Sequence, residues 1–381
     1  MKLLIVEPYI TGHHLEYLHH IYMMSFKMPQ TKFIFVLPSS FEEAKSMFYW
    51  PENKNVVFDT SLPVQVRNAK HSSLIGSLKK SIYYSKLTKK FFRKYSPDCL
   101  FSLDIMTLVP FLPLYIRKVK AVGIVYDIYL RKPNLNTRTK FASLCRFFTL
   151  SRSSIFQRVF ILNDGQSADE LNRMFNTKKF EYLPDPYVPL KTTNNDYRTQ
   201  NGIDEHSIVF AHFGSMTRRK GTLDIINIMS ELSQEECSKY VFVFAGKVND
   251  EIKTEFYEGV EKYKNRVKMI IEDSFCSYDY LASLCSASNA ILIPYHETCK
   301  SSGLIGYASQ FSIPVIAYEG GLLGELITQY KLGIFINSNH SMRDAFQIVA
   351  QNQVTTPPID YCLVNSVDNF TDTIKKAFDN K

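Results

Sequence analysis

Short apolar runs alternate with longer amphipathic stretches along the whole chain. This alternation is typical of βαβ units and predicts parallel sheets flanked by helices. The runs are rich in Val, Ile and Phe and nearly unbroken, as expected of strands covered on both faces. The predicted strands of the first half are 3–6, 33–37, 55–58, 99–102, 121–126 and 158–162. Those of the second half are 208–213, 240–245, 267–271, 290–293 and 314–317.

A proline-rich segment separates the two sets of strands. Residues 183–189 have the sequence LPDPYVP and precede a polar stretch at 191–202, which is typical of a linker. We therefore predict an N-terminal Rossmann-like domain over 1–187, a C-terminal one over 188–358, and a C-terminal helix over 359–381 that packs back toward the first domain. Open α/β sheets bind ligands at the carboxyl ends of their strands, so the informative motifs directly follow strands.

One such motif combines a glycine with three cations. Residues 213–221, FGSMTRRKG, follow a predicted strand and open a helical pattern. Glycine lets the backbone approach a ligand, and free N–H groups at a helix N-terminus favour an anion. Arg offers phosphate a planar fork and Lys a point charge. The motif indicates a diphosphate site, with a solvated basic loop as the alternative.

Two further loops follow the next strands. Residues 294–306, PYHETCKSSGLIG, contain two good helix caps, Ser301 and Ser302, and a glycine that permits close approach. Successive N–H groups at such a turn can cradle phosphate oxygens, although capping alone would also explain a serine. Residues 319–325, EGGLLGE, have the glycines of a tight ligand-facing loop.

In this order the motifs resemble the C-terminal domain of the GT-B glycosyltransferases of family 4 (glycosyl transferases group 1). The resemblance covers residues 208–337 well and the N-terminal half more weakly. It implies an α/β GT-B architecture, with two Rossmann-like doubly wound parallel-sheet domains facing a central cleft. It further implies retaining transfer of a sugar from a nucleoside-diphosphate sugar, with neither metal nor cofactor, to a glycan or lipid-linked acceptor.

The resemblance also assigns roles to residues. The implied catalytic residues are Asp127, His13 and Lys220, of which Lys220 neutralises the leaving diphosphate. The implied positions for the donor diphosphate are Gly214, Ser215, Arg218, Arg219, Lys220, Ser301, Ser302, Gly303 and Leu304. Those for the nucleoside and sugar are Lys247, Glu272, Phe275, His296, Glu297 and Glu325. Those on the acceptor side are Gly12, His13, His14 and Tyr126.

Three departures place the chain in a divergent branch. The family's paired glutamates correspond to Cys299 and Tyr307, Ser215 stands where relatives often carry arginine, and Tyr126 replaces a histidine. Without the glutamates, retention and inversion both stay open. Two other functions stay open as well: a catalytically silent GT-B subunit that binds a partner or glycan, and a sugar-nucleotide epimerase. An epimerase needs several carboxylates for proton abstraction and return, and few are present.

Positive charge is concentrated in the first half. Residues 61–152 contain 18 Lys and Arg but three acids, whereas the net charge of the whole chain is +8. The densest part, Lys79–Lys94, has an apolar stripe at helical spacing with lysines on its other side. The pattern allows two interpretations: the apolar stripe packs on the sheet of its own domain, or the helix rests on anionic lipid. The two are compatible if only the lysine rim contacts lipid. We expect no nucleic-acid binding, because no reader motif accompanies the charge.

Composition excludes several other classes. No run of about 18 uncharged apolar residues is present, so no transmembrane helix is expected. Seven scattered cysteines without a C-x-x-C pair favour a reducing cytoplasm and argue against a zinc ribbon or disulfide framework. The pairs His13-His14 and His19-His20 do not share one helical face, so we expect no metal site. We expect a cytoplasmic protein, peripheral at the inner face of the membrane if Lys79–Lys94 contacts lipid.

Overall fold

The computed structural model describes residues 1–10, 12–63, 74–132, 134–191, 196–354, 357 and 359–379. Contacts divide the chain into two compact units, which we call unit 1 (Met1–Pro184 with Val367–Lys381) and unit 2 (Asp185–Ser366). The domain limits inferred from the sequence, at residues 187 and 358, stay a prediction. Residue 358 and residues 192–195 of the expected linker lie outside the described part.

Unit 1 is built on a parallel sheet, with seven strands in the described residues. The strands are β1 (Lys2–Val6), β2 (Lys32–Pro38), β3 (Val56–Leu62), β4 (Cys99–Ser102), β5 (Lys120–Val125), β6 (Phe156–Leu162) and β7 (Phe180–Leu183). Their spatial order is β3-β2-β1-β4-β5-β6-β7. The helices between them are α1 (His13–Met24), α2 (Phe41–Ala44), α3 (Leu74–Tyr95), α4 (Leu112–Tyr115), α5 (Thr137–Arg152) and α6 (Gly165–Phe175).

Unit 2 repeats this plan with six strands in the described residues. The strands are β8 (Ile208–Phe213), β9 (Tyr240–Ala245), β10 (Lys268–Glu272), β11 (Ala290–Ile293), β12 (Val315–Tyr318) and β13 (Gly333–Ile336), in the spatial order β10-β9-β8-β11-β12-β13. The helices are α7 (Tyr197–Gln200), α8 (Thr222–Asn227), α9 (Gln234–Lys239), α10 (Lys253–Tyr263), α11 (Tyr278–Ala287), α12 (Leu304–Phe311), α13 (Gly321–Gln329), α14 (Met342–Ala350) and α15 (Asp360–Val364). The predicted α/β class with parallel sheets is confirmed.

The last helix, α16 (Val367–Lys376), returns to unit 1 and packs against α1. Phe370 is fully buried with its ring 5.2 Å from that of Tyr17. Lys27 forms ion pairs with Asp368 at 2.8 Å and Asp372 at 3.0 Å. An apolar face and a charged rim therefore fix this helix to the unit where the chain begins.

The sheet of each unit has buried apolar side chains on both of its faces. In unit 1, helices α3 and α5 cover one face, whereas α1 and α16 cover the other. This two-sided burial explains why most strands have few polar residues. No helix in the described ranges is long and apolar enough to cross a membrane.

Candidate functional site

The chain order within the sheet of unit 2 reverses at β8. From β8 the chain proceeds to β9 and β10 on one side, and then returns to place β11, β12 and β13 on the other. Ligands of open α/β sheets bind at such a switch point, beyond the carboxyl ends of the strands. The loops that follow β8 and β11 are those in which the sequence predicted phosphate binding.

Two glycines bring the loops after β8 and β9 together. Gly214, at φ +93°, donates its N–H to the carbonyl of Ala245 at 2.8 Å. Gly246 lies at φ +135°, and a Cβ added there would be 2.1 Å from the carbonyl oxygen of Gly214. Side chains are therefore excluded from this contact, and the backbones of the two strand ends lie directly against each other.

The three cations of the first loop have different surroundings. Arg218 is exposed and forms an ion pair with Glu255. Arg219 and Lys220 lie over the ring of Tyr295, at 5.9 and 5.5 Å from its centroid. Within the described ranges, neither Arg219 nor Lys220 has a carboxylate within ion-pair distance. Two cations of this loop thus have charge available for an anion, while the third is already paired.

Lys220 is also the cation that faces the glycine of its own loop. Its ammonium lies 3.3 Å from the position that a Cβ on Gly214 would occupy. The segment Arg218–Lys220 forms one 3₁₀ turn, capped by the hydroxyl of Thr217, which accepts from the N–H of Lys220 at 3.3 Å. This cap fixes the backbone from which the ammonium projects.

A buried histidine lies beneath this loop and was missed from the sequence. His212 is 1% exposed on β8, with Nδ1 2.9 Å from the carbonyl of Leu292 and Nε2 2.9 Å from the hydroxyl of Thr222. Burial, together with the charge of Lys220, lowers the pKa of His212 to about 4. The imidazole is therefore neutral near pH 7, with Nδ1 donating to the carbonyl and Nε2 accepting from the hydroxyl. It joins β8, β11 and α8 without adding charge to the site.

The loop after β11 is locked to the loop after β8. His296 donates its N–H to the carbonyl of Arg219 at 3.0 Å. A Cβ on Gly221 would lie 2.0 Å from the carbonyl oxygen of Pro294, so only glycine fits where the loops cross. Leu323, in the helix α13 that follows β12, donates its N–H to the carbonyl of Thr298 at 3.0 Å. This hydrogen bond joins the start of α13 to the loop after β11.

The serines of the second motif use their hydroxyls inside the protein. Ser301 donates to Asp185 at 2.8 Å, and the buried Ser302 donates to the hydroxyl of Tyr295 at 3.4 Å. In the described part of the chain, the N–H groups of Ser301, Ser302 and Gly303 have no acceptor. These amides directly precede α12, and the N–H of Leu304 contacts Ser302 Oγ at 3.4 Å. The available donors are thus backbone amides at a helix N-terminus, which suit an anion.

His296 belongs to a small polar cluster next to these loops. Its Nε2 lies 3.0 Å from Asp224, which also accepts from the hydroxyl of Tyr318 at 2.8 Å. Its ring stacks on that of Tyr318 at 5.6 Å, and the adjacent Glu297 is exposed. Burial and the hydrogen bond to Asp224 raise the pKa of Tyr318. Asp224 and Tyr318 were missed from the sequence; their signal was position, directly after the first motif and at the end of β12.

Three of the residues expected near the nucleoside and sugar lie at or after the ends of β9 and β10. Phe275 is 80% exposed, while Glu272 accepts a hydrogen bond from Ser274. Lys247 pairs at 3.3 Å with Asp273, which belongs to the stretch 272–275 expected near the base. The N–H of Val248, with further hydrogen bonds, lowers the pKa of Asp273.

Other predicted positions are also at strand ends or nearby. Ser215 is exposed directly after β8, and Glu325 is exposed on α13. The role of each predicted site residue stays a prediction.

The sheet of unit 1 has its own switch point, between β1 and β4. Gly12 precedes α1, which begins with His13 and His14. His14 Nδ1 lies 3.2 Å from a carboxylate oxygen of Glu7, a 2% exposed residue just after β1. His13 is exposed, with its ring 6.3 Å from that of Tyr17. The structure thus brings His14 rather than His13 to a carboxylate.

Further polar groups meet at this edge of unit 1. The ring of Tyr126 lies 5.9 Å from that of His14, and Asp127 pairs with Lys132 at 2.5 Å. Burial, reinforced by the charge of Glu7, raises the pKa of Asp104 to about 6. The carboxylates of Glu7 and Asp104 were missed from the sequence, although each follows a strand at the switch point. Across the described residues, no group of three or more His, Cys, Asp and Glu side chains is arranged to hold a metal ion.

Comparisons with known proteins agree with this geometry. Residues 193–353 match the family model described as Glycosyl transferases group 1, whereas no curated protein sequence matches the chain. Anabaena Alr3699/HepE, solved with UDP and glucose, is 14% identical over 99% of both chains with a TM-score of 0.66. The alpha,alpha-trehalose-phosphate synthase (UDP-forming) of Burkholderia xenovorans, solved with glucose-6-phosphate, is 10% identical over 98% of this chain and 99% of that chain, with a TM-score of 0.68.

A third similar structure is WaaG, a glycosyltransferase involved in lipopolysaccharide biosynthesis. It is 15% identical over 98% of this chain and 95% of that chain, with a TM-score of 0.63. The predicted GT-B fold is confirmed by these likenesses. The matched domain and the fold together support a glycosyltransferase.

Proposed function

We propose that this chain, which has the GT-B fold and a glycosyl transferases group 1 domain, transfers a sugar from a nucleoside-diphosphate sugar to a glycan or lipid-linked acceptor. The observation that carries the proposal is the switch point of unit 2, where Lys220, which pairs with no carboxylate of the described residues, directs its ammonium at Gly214. The amides of Ser301, Ser302 and Gly303, which donate to no acceptor in the described ranges, follow the adjacent strand. Cations and amides at one sheet edge are suited to a diphosphate.

In this proposal the protein itself stabilises the leaving diphosphate. Lys220, assisted by Arg219, supplies positive charge where negative charge develops as the glycosidic bond breaks. The amides that precede α12 bind the phosphate oxygens. With these groups in place the reaction needs neither a metal nor a cofactor. The hydroxyls of Ser301 and Ser302 position the turn and leave the binding to its backbone.

The nucleoside and the sugar occupy the ends of the neighbouring strands. The exposed ring of Phe275 offers a stacking surface for a base, with Glu272 and Lys247 beside the same strand ends. Glu325 contacts the ribose, and His296 and Glu297 face the sugar. UDP or UDP-sugar is bound by the similar HepE structures, which supports a uridine nucleotide as the first donor to test.

Unit 1 provides the acceptor side. Gly12, His13, His14 and Tyr126 contact the acceptor, with Asp127 and His13 as catalytic residues. The contact of His14 Nδ1 with Glu7 adds His14 as a candidate base, because a carboxylate at Nδ1 orients the ring. We propose transfer with retention of configuration, as in the family that the motifs resemble.

The product belongs to cell-surface polysaccharide or glycolipid synthesis at the cytoplasmic face of the membrane. Support comes from α3, whose exposed lysines include Lys79, Lys86 and Lys90. Each cation near an anionic leaflet contributes roughly 1 kcal/mol to binding. The chain is peripheral in this proposal, attracted to the membrane by charge.

Thermal denaturation with UDP, GDP, ADP and dTDP tests the donor site. We expect at least one nucleotide to raise the melting temperature, and Lys220→Ala to abolish the rise because it removes the free cation. The matched control is Arg218→Ala, which removes a cation already paired with Glu255 and should leave most of the rise. Absence of a shift with every nucleotide would refute the donor site, and equal effects of the two variants would refute the role of Lys220.

A second candidate is a catalytically silent GT-B subunit. The observation that favours it is the presence of Cys299 and Tyr307 where the family has glutamates. Release of nucleoside diphosphate from a sugar nucleotide, measured with acceptor extracts, separates the two. If the chain binds the sugar nucleotide but liberates no nucleoside diphosphate from it with any acceptor, it is a binding subunit.

A further inference from the structure

Helix α5 has both buried and exposed apolar side chains. Phe147 and Leu150 are fully buried against the sheet of unit 1. Phe141, Leu144 and Phe148 instead are exposed, by 65%, 38% and 53%. Their spacing of three and four residues places them on one face of the helix. We call these three residues the α5 stripe.

The α5 stripe is bordered by cations and by no acid on its own helix. Arg138, Lys140 and Arg152 are exposed on α5, whose sequence contains neither Asp nor Glu. The guanidinium of Arg152 lies 5.9 Å from the ring centroid of Phe148. A solvent-facing apolar stripe with a basic border is the composition of helices that lie in a membrane interface.

The basic helix α3 lies beside α5. Arg146 on α5 donates to the hydroxyl of Ser77 on α3 at 2.6 Å. Both helices pack on the same face of the sheet, with Tyr84 and Phe91 of α3 in the same core as Phe147 of α5. The sides of α3 and α5 that point away from the sheet therefore face in the same direction. The lysines of α3 extend the basic border of the α5 stripe.

We infer that the α5 stripe inserts into the interface of an anionic bilayer while the cations of α3 and α5 contact the headgroups. The inference deepens, and rests on, the proposed contact of α3 with the membrane. Charge complementarity selects the occupant: residues 74–152 contain 16 Lys and Arg but only Asp98, Asp104 and Asp127 as acids. A second copy packed symmetrically on this face would bring uncompensated cations together. Stable attachment to a bilayer takes two signals, and this surface supplies an apolar one and a basic one.

Co-sedimentation of the full chain with lipid vesicles tests the inference. Vesicles of phosphatidylcholine with about one third phosphatidylglycerol are compared with pure phosphatidylcholine, at low and high salt. The stripe variant carries Phe141→Gln, Leu144→Gln and Phe148→Gln, because Gln preserves helix propensity on an exposed face. The matched control carries Met47→Gln and Tyr49→Gln, two exposed residues of unit 1 that are 55% and 82% accessible.

We expect the wild type and the control to bind the anionic vesicles, and less at high salt. The stripe variant should bind at least about tenfold more weakly at both salt concentrations, because the apolar contribution is not screened. A variant with Lys79→Gln, Lys86→Gln and Lys90→Gln should also bind more weakly and lose part of the salt dependence.

Three results would overturn the inference: no binding of the wild type to anionic vesicles, equal binding of the stripe variant and the wild type, or lipid-free self-association that the stripe variant abolishes. The nucleotide-induced rise in melting temperature, measured on the same variants, reports unit 2 separately. The fluorescence of Trp50, which lies in unit 1, shows whether the stripe variant is folded in the unit that carries the substitutions. Failure of the donor site with intact vesicle binding would refute the proposed transfer and leave the membrane surface standing.

Discussion

The substitution Gly221→Ala probes the contact on which the candidate donor site depends. Gly221 lies at φ +67° and ψ +20°, where an alanine costs roughly 1–2 kcal/mol relative to its preferred backbone. The added Cβ would also lie 2.0 Å from the carbonyl oxygen of Pro294, so the two backbones have to separate by about 1.4 Å to reach the normal contact distance. That movement stretches the 3.0 Å hydrogen bond from His296 to the carbonyl of Arg219.

The matched control is Gly202→Ala in the same unit. Gly202 has a similar φ of +57°, but its added Cβ would meet only the flexible end of Lys268 at 3.7 Å. The control should therefore lower the free energy of unfolding by about 1–2 kcal/mol, the backbone cost alone. Gly221→Ala adds overpacking of about 1–3 kcal/mol and a weakened hydrogen bond of about 1 kcal/mol, for a total of roughly 3–6 kcal/mol.

Urea denaturation followed by circular dichroism measures this difference. Trp50, the single tryptophan, lies in unit 1, so its fluorescence separately follows that unit. We expect Gly221→Ala to lower the stability of unit 2 at least twice as much as Gly202→Ala and to abolish the nucleotide-induced rise in melting temperature. Equal losses of stability in the two variants would show that Gly221 and Pro294 are not in close contact, and the site geometry would have to be abandoned.

Two pH-dependent predictions concern unit 1. Burial would raise the pKa of Asp59, but hydrogen bonds from Ser61, Tyr95 and Lys94 outweigh it and hold this pKa well below its usual range. The resulting stabilisation is present above about pH 4 and is lost as the pH falls. Asp59→Asn should therefore lower the free energy of unfolding at pH 7 by about 1–3 kcal/mol, and by less near pH 2. If urea denaturation gave the same difference between variant and wild type at both pH values, the assignment would be contradicted. Burial lowers the pKa of His20 to about 3, from 6.5 in the unfolded chain. Between these values the unfolded state binds a proton that the folded state does not, so the free energy of unfolding falls from pH 6.5 toward pH 3. His20→Phe should flatten the stability curve measured between pH 6.5 and 4, and a slope as steep as that of the wild type would argue against burial of a neutral imidazole.

Most strands were predictable because they are buried on both faces. β8, β9 and β11 begin and end at the predicted residues, and β1, β2 and β5 agree to within a residue. A strand covered on two sides cannot contain many polar residues, so the sequence shows it as an unbroken apolar run.

The strands β7 and β13 were not predicted, and both lie at an edge of their sheet. Each has four residues. In β7 the two end residues are buried and the two middle residues are half-buried, and β13 begins with a glycine. An edge strand has one neighbour and less apolar cover, so its sequence differs little from that of a loop. The segment 183–189 was therefore assigned to a linker, although Leu183 ends β7.

The position of the candidate donor site was predictable, but the state of its side chains was not. The loops were found because they follow strands and contain glycine, cations and serine. Their partners are distant in sequence: Ser301 donates to Asp185, 116 residues away, and Arg218 pairs with Glu255, 37 residues away. Pattern reasoning detects neighbours along one helix or strand, whereas pairs at such distances depend on how the elements pack.

The run Arg218-Arg219-Lys220 shows why adjacent charges are not equivalent in a site. In a 3₁₀ turn, three residues complete one revolution, so successive side chains point about 120° apart. Three adjacent cations on this turn therefore leave the backbone in different directions, and a single small anion cannot contact all of them equally. Here one of them pairs with a carboxylate of α10, another covers the ring of Tyr295, and Lys220 reaches both that ring and the glycine. The local helix type thus determines that a basic motif of three residues provides one well-placed ammonium, which is why Lys220 and not the summed charge of the loop is the residue to change first.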